Sequence, residues 1–244
     1  MKLEGKTALI TGAARRLGAQ TARTLHANGA NVIIHYGRSS TAAGQLADEL
    51  NRLRADSATT LQADLLDLDA VGALAESACS QYAGLDILVN NASSFYPTPL
   101  GEITAQHFDD LVGSNFKAPL FLAQACRGAL KESRGTIVNL VDIHARSPLK
   151  DHTVYVCAKA ANAMLTRSLA LEMAPEVRVN GVSPGAILWP EGGISDSEQD
   201  TILQQVPLAR NGDPQDIADT ILFLLTNNYI NGQIIAVDGG RQLF

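Results

Sequence analysis

Two side chains in the second half of the chain are suited to moving a proton. Tyr155 and Lys159 are four residues apart, so they share one face of any helix that contains them. An ammonium group beside a phenol favours the phenolate and lowers the tyrosine pKa from its ordinary value of about 10. The spacing therefore predicts a proton donor that works near neutral pH.

An aspartate precedes this pair. Asp142 follows the apolar run Thr136–Val141, where a predicted strand ends. A carboxylate only accepts hydrogen bonds, and it repels the oxyanion that develops when a ketone is reduced. Reduction of a C=N bond instead leaves a nitrogen that must gain a proton, and a carboxylate can assist, alone or through Tyr155. We therefore expect a C=N substrate. The alternative is that Asp142 only pairs with Lys159 or caps the following turn.

Short β-branched runs alternate with long helical patterns along the chain, which predicts parallel strands joined by helices on both faces of a sheet. The strands are continuously apolar, as expected when both faces are covered. We expect one α/β domain over residues 1–244, a Rossmann-like doubly wound fold with a mostly parallel seven-stranded sheet and a substrate lid at about 183–207. The predicted strands are Thr7–Thr11, Asn31–Tyr36, Thr59–Gln62, Ile87–Asn90, Thr136–Val141, Arg178–Val182 and Gln233–Val237. The helical patterns include Gly18–Asn28, Ser40–Arg54, Leu68–Tyr82 and Tyr155–Met173.

The segment TALITGAARRLG, residues 7–18, is typical of a strand, a tight turn and the start of a helix. Gly12 permits the turn, and the small Ala13 and Ala14 let a ligand approach the backbone. The free N–H groups and positive dipole of a helix N-terminus suit a pyrophosphate. A plain turn is the alternative, but its position after the first strand of a doubly wound sheet favours a nucleotide.

The end of the second predicted strand, VIIHYGRSS, bears on which dinucleotide binds. An NAD-specific site has an acidic residue about 20 residues beyond the glycines, for the ribose hydroxyls. This chain has Arg38 and Ser39 in that region, and the glycine turn adds Arg15 and Arg16. Arginine forks and hydroxyls suit a 2′-phosphate, which favours NADPH. The alternative is that Arg38 is only a solvated loop charge.

Composition excludes several other classes. The chain has 46% hydrophobic and 18% charged residues, which is ordinary for a globular protein with a sizeable core. A net charge of -6 argues against nucleic-acid or anionic-membrane partners. The scattered Cys79, Cys126 and Cys157 indicate a reducing compartment. We see neither a signal-peptide pattern nor a membrane span, and no cluster typical of a metal site, so we expect a soluble cytoplasmic protein.

A set of motifs in the expected order resembles the short-chain dehydrogenase/reductase family over nearly the whole chain. The motifs are TGAARRLG (11–18), QADL (62–65), NNAS (90–93), Asn115, Tyr155-x-x-x-Lys159, SPG (183–185) and VDGG (237–240). The resemblance implies that Asp64 contacts the adenine, that Asn90 and the Ala92 backbone border the coenzyme, and that Asn115 joins a proton relay.

Departures from the common family pattern resemble one branch, the pteridine reductases. Arg16 replaces the middle glycine of the turn, Asp142 stands where a serine is usual, and NNAG has become NNASSFYP. In that branch the equivalents of Arg16, Ser93 and Phe95 line the pterin site. Phe95 would then stack on a flat heterocycle, although a packed or surface aromatic pair is the alternative.

The resemblance and the motifs together give a set of expected site residues. Those expected to be catalytic are Asp142, Tyr155, Lys159 and Asn115. Those expected to hold the substrate are Arg16, Ser93, Phe95, Asp142 and Tyr155. Those expected to hold NADPH are Gly12, Arg16, Leu17, Gly18, Tyr36, Arg38, Ser39, Asp64, Leu65, Asn90, Ala92, Tyr155, Lys159, Pro184 and Gly185. We assign no role to Trp189, and His144 and His152 are interpreted as loop or supporting residues.

We expect an NADPH-dependent reductase that converts a dihydropterin or dihydrofolate to its tetrahydro form, with reduction of the fully oxidised pterin left open. The alternatives are a carbonyl reductase of the 3-oxoacyl type and a non-catalytic NADPH-binding sensor. Two helical patterns, residues 155–174 and Leu120–Leu130, are apolar on nearly every face, which indicates burial against other copies of the chain. The family resemblance implies a homotetramer.

Overall fold

In the computed structural model, which describes residues 3–189, 193 and 195–243, seven strands form one sheet. The order is β3-β2-β1-β4-β5-β6-β7, and every pairing is parallel, so the sheet is fully rather than mostly parallel. The strands are β1 (Thr7–Ile10), β2 (Asn31–Tyr36), β3 (Ala58–Gln62), β4 (Ile87–Asn90), β5 (Thr136–Leu140), β6 (Arg178–Pro184) and β7 (Ile234–Val237). All seven predicted strands are confirmed, with ends displaced by at most two residues.

Helices cover both faces of this sheet. They are α1 (Arg16–Ala27), α2 (Ser40–Leu53), α3 (Leu68–Ser80), α4 (Ala105–Val112), α5 (Ala118–Ala125), α6 (Arg127–Glu132), α7 (Thr153–Glu172), α8 (Asp196–Gln204) and α9 (Pro214–Thr226). A π-helical turn, Gly113–Lys117, joins α4 to α5. Helix α1 begins two residues earlier than predicted, at Arg16. The predicted Leu120–Leu130 helix is interrupted at Cys126 and is divided between α5 and α6.

The central strands β1, β4 and β5 are buried, and in β1 alternate side chains enter different hydrophobic cores. Ala8 and Ile10 of β1 belong to a core that includes residues of α1, α2 and α9, whereas Leu9 belongs to one that includes residues of α3 and α5. All three are fully buried. This two-sided burial explains the continuously apolar strands. Within the described ranges, no helix is long and apolar enough to cross a membrane.

The segment 183–207, predicted to be a substrate lid, contains regular structure, because β6 continues through Pro184 and α8 lies inside it. Its role as a lid stays a prediction. Ser195 caps α8 by accepting from the Glu198 N–H at 3.3 Å, while the Glu198 carboxylate accepts from the Ser195 N–H at 2.9 Å. This reciprocal pair is a sequence signature for a helix start that we did not use. Residues 190–192 and 194 lie outside the described residues.

Candidate active site

The sheet reverses its strand order at β1 and β4, and the candidate site lies at the carboxyl ends of these strands. From β1 the chain builds β2 and β3 to one side, and from β4 it builds β5, β6 and β7 to the other. Ligands of doubly wound folds bind in the crevice at this switch point. The glycine turn follows β1, the NNASS segment follows β4, and Asp142 follows shortly after β5.

The glycine turn is tightly built. Gly12 has a φ of +61°, and a Cβ there would lie 3.0 Å from the Ala92 Cα. A Cβ on Gly18 would lie 2.5 Å from the Gly12 carbonyl oxygen. Arg16, in the place of the family's middle glycine, keeps a left-handed φ of 54°. The substitution therefore adds a side chain but leaves the left-handed backbone of a glycine turn in place.

Two residues that we did not predict hold this turn. The Thr11 hydroxyl oxygen accepts from the Asn91 and Ala92 N–H groups at 2.9 and 3.0 Å. The Asn91 side-chain amide donates to the Thr11 and Gly12 carbonyls at 2.7 and 3.1 Å. Asn91 lies in the NNA motif, but sequence reasoning took from that motif only Asn90 and Ala92 as coenzyme neighbours and gave Asn91 no role.

Asn90 was expected to border the coenzyme, yet its side chain points into the protein. Its amide donates to the Asn139 side-chain oxygen at 2.8 Å, and Asn139 donates to the Thr166 hydroxyl at 2.9 Å. Thr166 donates to the Asn162 carbonyl at 2.9 Å, and Asn162 donates to the Asn115 carbonyl at 3.0 Å. This buried chain of hydrogen bonds fixes β4, β5, α7 and the π-helical turn relative to one another.

A cleft of about 1010 Å³ extends over the ends of β1, β2 and β3 and is suited to a dinucleotide. Its lining includes several of the predicted coenzyme residues: Gly12, Arg38, Asp64, Leu65 and Ala92. The Asp64 carboxylate accepts from the Leu66 N–H at 3.0 Å, which fixes the loop after β3.

Other predicted coenzyme residues lie close to the lining residues along the chain. The Tyr36 carbonyl accepts from the Ala63 N–H at 3.2 Å. Ser39 precedes α2, and its side chain makes no capping hydrogen bond there. Leu17 and Gly18 lie in the first turn of α1, whose N-terminus faces the turn. A left-handed glycine, a helix N-terminus and an arginine beside the second strand together suit a phosphate-bearing dinucleotide.

Pro184 and Gly185 lie at the end of β6. Pro184 pairs with Val237 of β7. A Cβ on Gly185 would lie 2.6 Å from the Asp238 Cβ, so the C-terminal VDGG segment needs a glycine here for packing. This close approach explains the glycine of the SPG motif, and contact of Pro184 and Gly185 with the coenzyme stays a prediction.

Asp142 uses both carboxylate oxygens. Oδ2 accepts from the Tyr155 hydroxyl at 2.7 Å, and Oδ1 accepts from the His144 N–H at 2.8 Å, at the start of the 3-10 turn Ile143–Ala145. The carboxylate therefore caps the turn and also binds the phenol. Lys159 is buried, and its ammonium donates to the Leu140 carbonyl at 2.9 Å.

The sequence led us to expect a lowered pKa for Tyr155, and that expectation was wrong. Burial raises the pKa of Tyr155 well above 10, and the charge and hydrogen bond of Asp142 raise it further, with a partly opposing effect from Ser93. The Lys159 ammonium lies 5.7 Å from the centre of the phenol ring, whereas the carboxylate is in direct contact with the hydroxyl. Burial also lowers the Lys159 pKa to about 8, against the attraction of Asp142.

Ser93 and Asn115 form a second polar pair. The Ser93 hydroxyl donates to the Asn115 side-chain oxygen at 2.7 Å. The Asn115 amide donates to the Ser94 and Leu111 carbonyls at 2.9 and 3.0 Å. These bonds fix the orientation of the amide, and they leave Ser93 with only lone pairs to offer another group.

Phe95 is half exposed and lies against Tyr155. Its ring stacks on His152, with centroids 4.7 Å apart, and meets Tyr155 edge to face at 4.8 Å. His152 therefore supports the aromatic ring, as its interpretation as a supporting residue anticipated. The Arg16 guanidinium donates to the Trp189 carbonyl at 2.9 Å, which joins the glycine turn to the segment after β6.

Comparison with known proteins agrees with this architecture. A family model described as enoyl-(acyl carrier protein) reductase matches residues 12–242. The chain is similar to a pteridine reductase 1 of Leishmania tarentolae, with 41% identity over 278 aligned positions covering 97% of this chain and 96% of that protein. It is also similar to a 3-oxoacyl-(acyl-carrier-protein) reductase FabG of Staphylococcus aureus, with 36% identity over 243 positions and 98% of both chains covered.

The all-parallel sheet, the glycine turn and the Tyr155/Lys159 pair define an NAD(P)-dependent oxidoreductase. The chain belongs to the short-chain dehydrogenase/reductase family. It resembles the pteridine reductases both in its motifs and in overall sequence identity, which is 41% for the pteridine reductase and 36% for the 3-oxoacyl reductase.

Proposed function

We propose that this protein is an NADPH-dependent pteridine reductase that reduces a C=N bond of a dihydropterin or dihydrofolate to give the tetrahydro form. The observation that carries the proposal is the hydrogen bond of 2.7 Å between the Tyr155 hydroxyl and Asp142. A carboxylate at this position disfavours an oxyanion and favours a nitrogen that gains a proton. The similarity to a pteridine reductase supports the same substrate class.

The hydrogen-bond polarity of the site supports a pterin as well. The Tyr155 hydroxyl donates its hydrogen bond to Asp142, and the Ser93 hydroxyl donates its hydrogen bond to Asn115. Around Tyr155, the oxygens of Tyr155, Ser93 and Asp142 therefore present mainly acceptors to an incoming ligand. A pterin ring has an amino group and ring N–H groups to donate, whereas a simple ketone can only accept.

The two halves of the reduction have different sources. The dinucleotide supplies the hydride for carbon when it is bound, and the protein must supply the proton for nitrogen. Because its pKa is raised, Tyr155 stays protonated at neutral pH and can act as the acid. As the proton leaves, the Lys159 ammonium, 5.7 Å from the centre of the phenol ring, favours the phenolate. Asp142 orients the phenol and favours positive charge on the ring nitrogen.

Coenzyme preference follows from the end of β2. Arg38 lines the cleft, and Ser39 lies beside it without a capping bond. An acidic residue at this position would bind ribose hydroxyls and repel a 2′-phosphate, and this chain has none there. These features support NADPH over NADH.

Phe95 and Arg16 complete the proposed substrate site. The exposed part of Phe95, 49% of its surface, offers a flat contact for a heterocycle, while His152 supports the ring by stacking. Arg16 extends from the coenzyme turn toward the segment after β6, so it can contact both ligands.

The test is NADPH consumption by the purified protein, followed by absorbance, with dihydrobiopterin, dihydromonapterin, dihydrofolate and an acetoacetyl thioester as substrates. We expect turnover of at least one dihydropterin with a kcat/KM well above that of the thioester. Tyr155→Phe is the matched control and should bind NADPH but lose turnover. Faster reduction of the thioester than of every pterin would refute the proposal in favour of a 3-oxoacyl reductase.

A further inference from the structure

His35 is a buried titratable side chain at the floor of the coenzyme cleft. It lies in β2, among aliphatic residues, and is only 2% exposed. Its Nδ1 atom lies 3.1 Å from the Gly12 backbone nitrogen, and its Nε2 atom lies 3.2 Å from the Ala63 carbonyl oxygen. The ring thus bridges the turn after β1 and the end of β3.

These two partners determine the protonation state of the ring. The Gly12 N–H can only donate, so Nδ1 must accept, and Nε2 must carry the proton that is donated to Ala63. A doubly protonated imidazole would place an N–H against the Gly12 N–H and break that bond. Burial lowers the His35 pKa, partly offset by the bond to Ala63.

Both partners adjoin predicted coenzyme contacts. Gly12 is the left-handed glycine of the phosphate turn, and Ala63 precedes Asp64, which is expected at the adenine. His35 itself lines the same cleft. We propose that neutral His35 positions the coenzyme turn against the adenine edge, so that binding of the dinucleotide is coupled to loss of a proton from this ring. The inference rests on the proposed coenzyme cleft but not on the pterin substrate.

Other charged groups share this environment, and an experiment must separate them from His35. Those that line the cleft are Arg38 at the end of β2, Asp64 after β3, and His107, Asp109 and Asp110 of α4. The 2′-phosphate of the ligand also titrates, near pH ~6 as other phosphate monoesters do. A variant that changes only His35 keeps all of these groups. The difference in pH dependence between wild type and the variant therefore reports the contribution of His35.

The experiment is calorimetric titration of the full-length protein with NADP⁺ from pH 5 to 8, in buffers of different ionisation enthalpy, to measure both Kd and protons released. His35→Gln is the informative variant, because its amide can accept from Gly12 and donate to Ala63 without titrating. We expect wild-type affinity at pH 8 in this variant. Below the His35 pKa, wild-type affinity should fall about tenfold per pH unit relative to the variant, with up to one extra proton released.

Two further variants make the result specific. His35→Leu removes both bonds and should weaken NADP⁺ about tenfold or more at every pH. His26→Gln is the matched control, because His26 is equally buried, at 3% exposed, but contacts Ser57 instead of the glycine turn. It should leave NADP⁺ binding unchanged. NAD⁺, which has no 2′-phosphate, should show the same His35-dependent difference.

A nitrogen-15 spectrum of the imidazole in the ligand-free protein gives an independent readout, and it should show His35 with its proton on Nε2. The inference is overturned if His35→Gln and wild type keep the same pH dependence of Kd and proton release, or if Nδ1 carries the proton. If wild type binds neither NADP⁺ nor NAD⁺ at pH 8, the coenzyme site itself is refuted, and this role with it. Binding of coenzyme with no turnover of pterins would instead refute only the proposed substrate.

Discussion

Replacing Asp142 with asparagine is the sharpest test of how the proton reaches the substrate. Asparagine keeps the size of the side chain, and its oxygen can still cap the turn at the His144 N–H, now at 2.8 Å from Oδ1. Its NH₂ group then faces the Tyr155 hydroxyl, so the phenol must accept where it now donates over 2.7 Å. The phenol proton is thereby released from the carboxylate and turned toward the cleft.

The size of the effect can be worked out from these contacts. A hydrogen bond to a charged group contributes about 1.5–3 kcal/mol and a neutral one about 1 kcal/mol, so the ligand-free variant should lose about 1–2 kcal/mol of stability. Two of the three causes that raise the Tyr155 pKa involve Asp142, so the phenol should ionise at a lower pH than in wild type. Loss of the positioned carboxylate should slow dihydropterin reduction by about 10²–10⁴-fold.

The assay is single-turnover reduction of dihydropterin by NADPH from pH 5 to 8, under conditions where chemistry limits the rate. Fluorescence titration should show unchanged NADPH binding. Asp142→Ser is a useful comparison, because its hydroxyl can donate to an oxyanion, and we expect poor pterin reduction with a small gain in ketone reduction. Near-wild-type pterin reduction by Asp142→Asn over the whole pH range would refute the reasoning and leave Asp142 with its capping role.

Four further outcomes are expected. Arg38→Asp should lower the NADPH-to-NADH ratio of kcat/KM by about tenfold or more, since a charge-assisted phosphate contact is lost, and an unchanged ratio would contradict that contact. Arg16→Gly should be more stable to urea than Arg16→Ala by about 1 kcal/mol, because only glycine relieves the left-handed φ of 54°, and equal stabilities would argue against strain. The Lys159 pKa falls from 10.5 to about 8 on folding, so the unfolded chain binds more protons between these values and stability rises with pH. From pH 8 to 9.5, wild type should gain about 2 kcal/mol relative to Lys159→Met in urea unfolding, and parallel profiles would contradict the shift. Met164 and Leu171 are 61% and 82% exposed on α7, so light scattering should show a tetramer that their replacement by aspartate disrupts, and a wild-type monomer at micromolar concentration would count against this assembly.

Features set by local sequence could be predicted well. The strands were found because aliphatic runs such as Thr7–Ile10 are buried on both faces, and the glycine turn was found because Gly12 needs a positive φ. Tyr155 and Lys159 share a helix face through spacing alone. The start of α8 could also have been predicted from local sequence, because Ser195 and Glu198 have the spacing of a capping box, but we overlooked it.

Features set by distant contacts could not be predicted. The bonds of His35 to Gly12 and of Asn91 to Thr11 join residues far apart in the chain, and no periodicity signals them. The sign of the Tyr155 pKa shift depends on burial and on which charge is nearer, and both are properties of the folded chain. Spacing placed the lysine beside the phenol but could not show that its ammonium donates to a strand carbonyl.

Arg16 has a consequence for how parts of this fold can be exchanged. It lies in the first βα unit, yet its guanidinium reaches the Trp189 carbonyl beyond β6, about 170 residues later in the chain. A chimera that took its first βα unit from a relative with glycine at this position would keep the turn's backbone but lose that tether. Trp189 would then lose this hydrogen bond although no residue after β6 had changed. The coenzyme-binding half of the chain is therefore not a self-contained module. Recombination at its boundary should weaken the position of the segment after β6, next to the proposed substrate site.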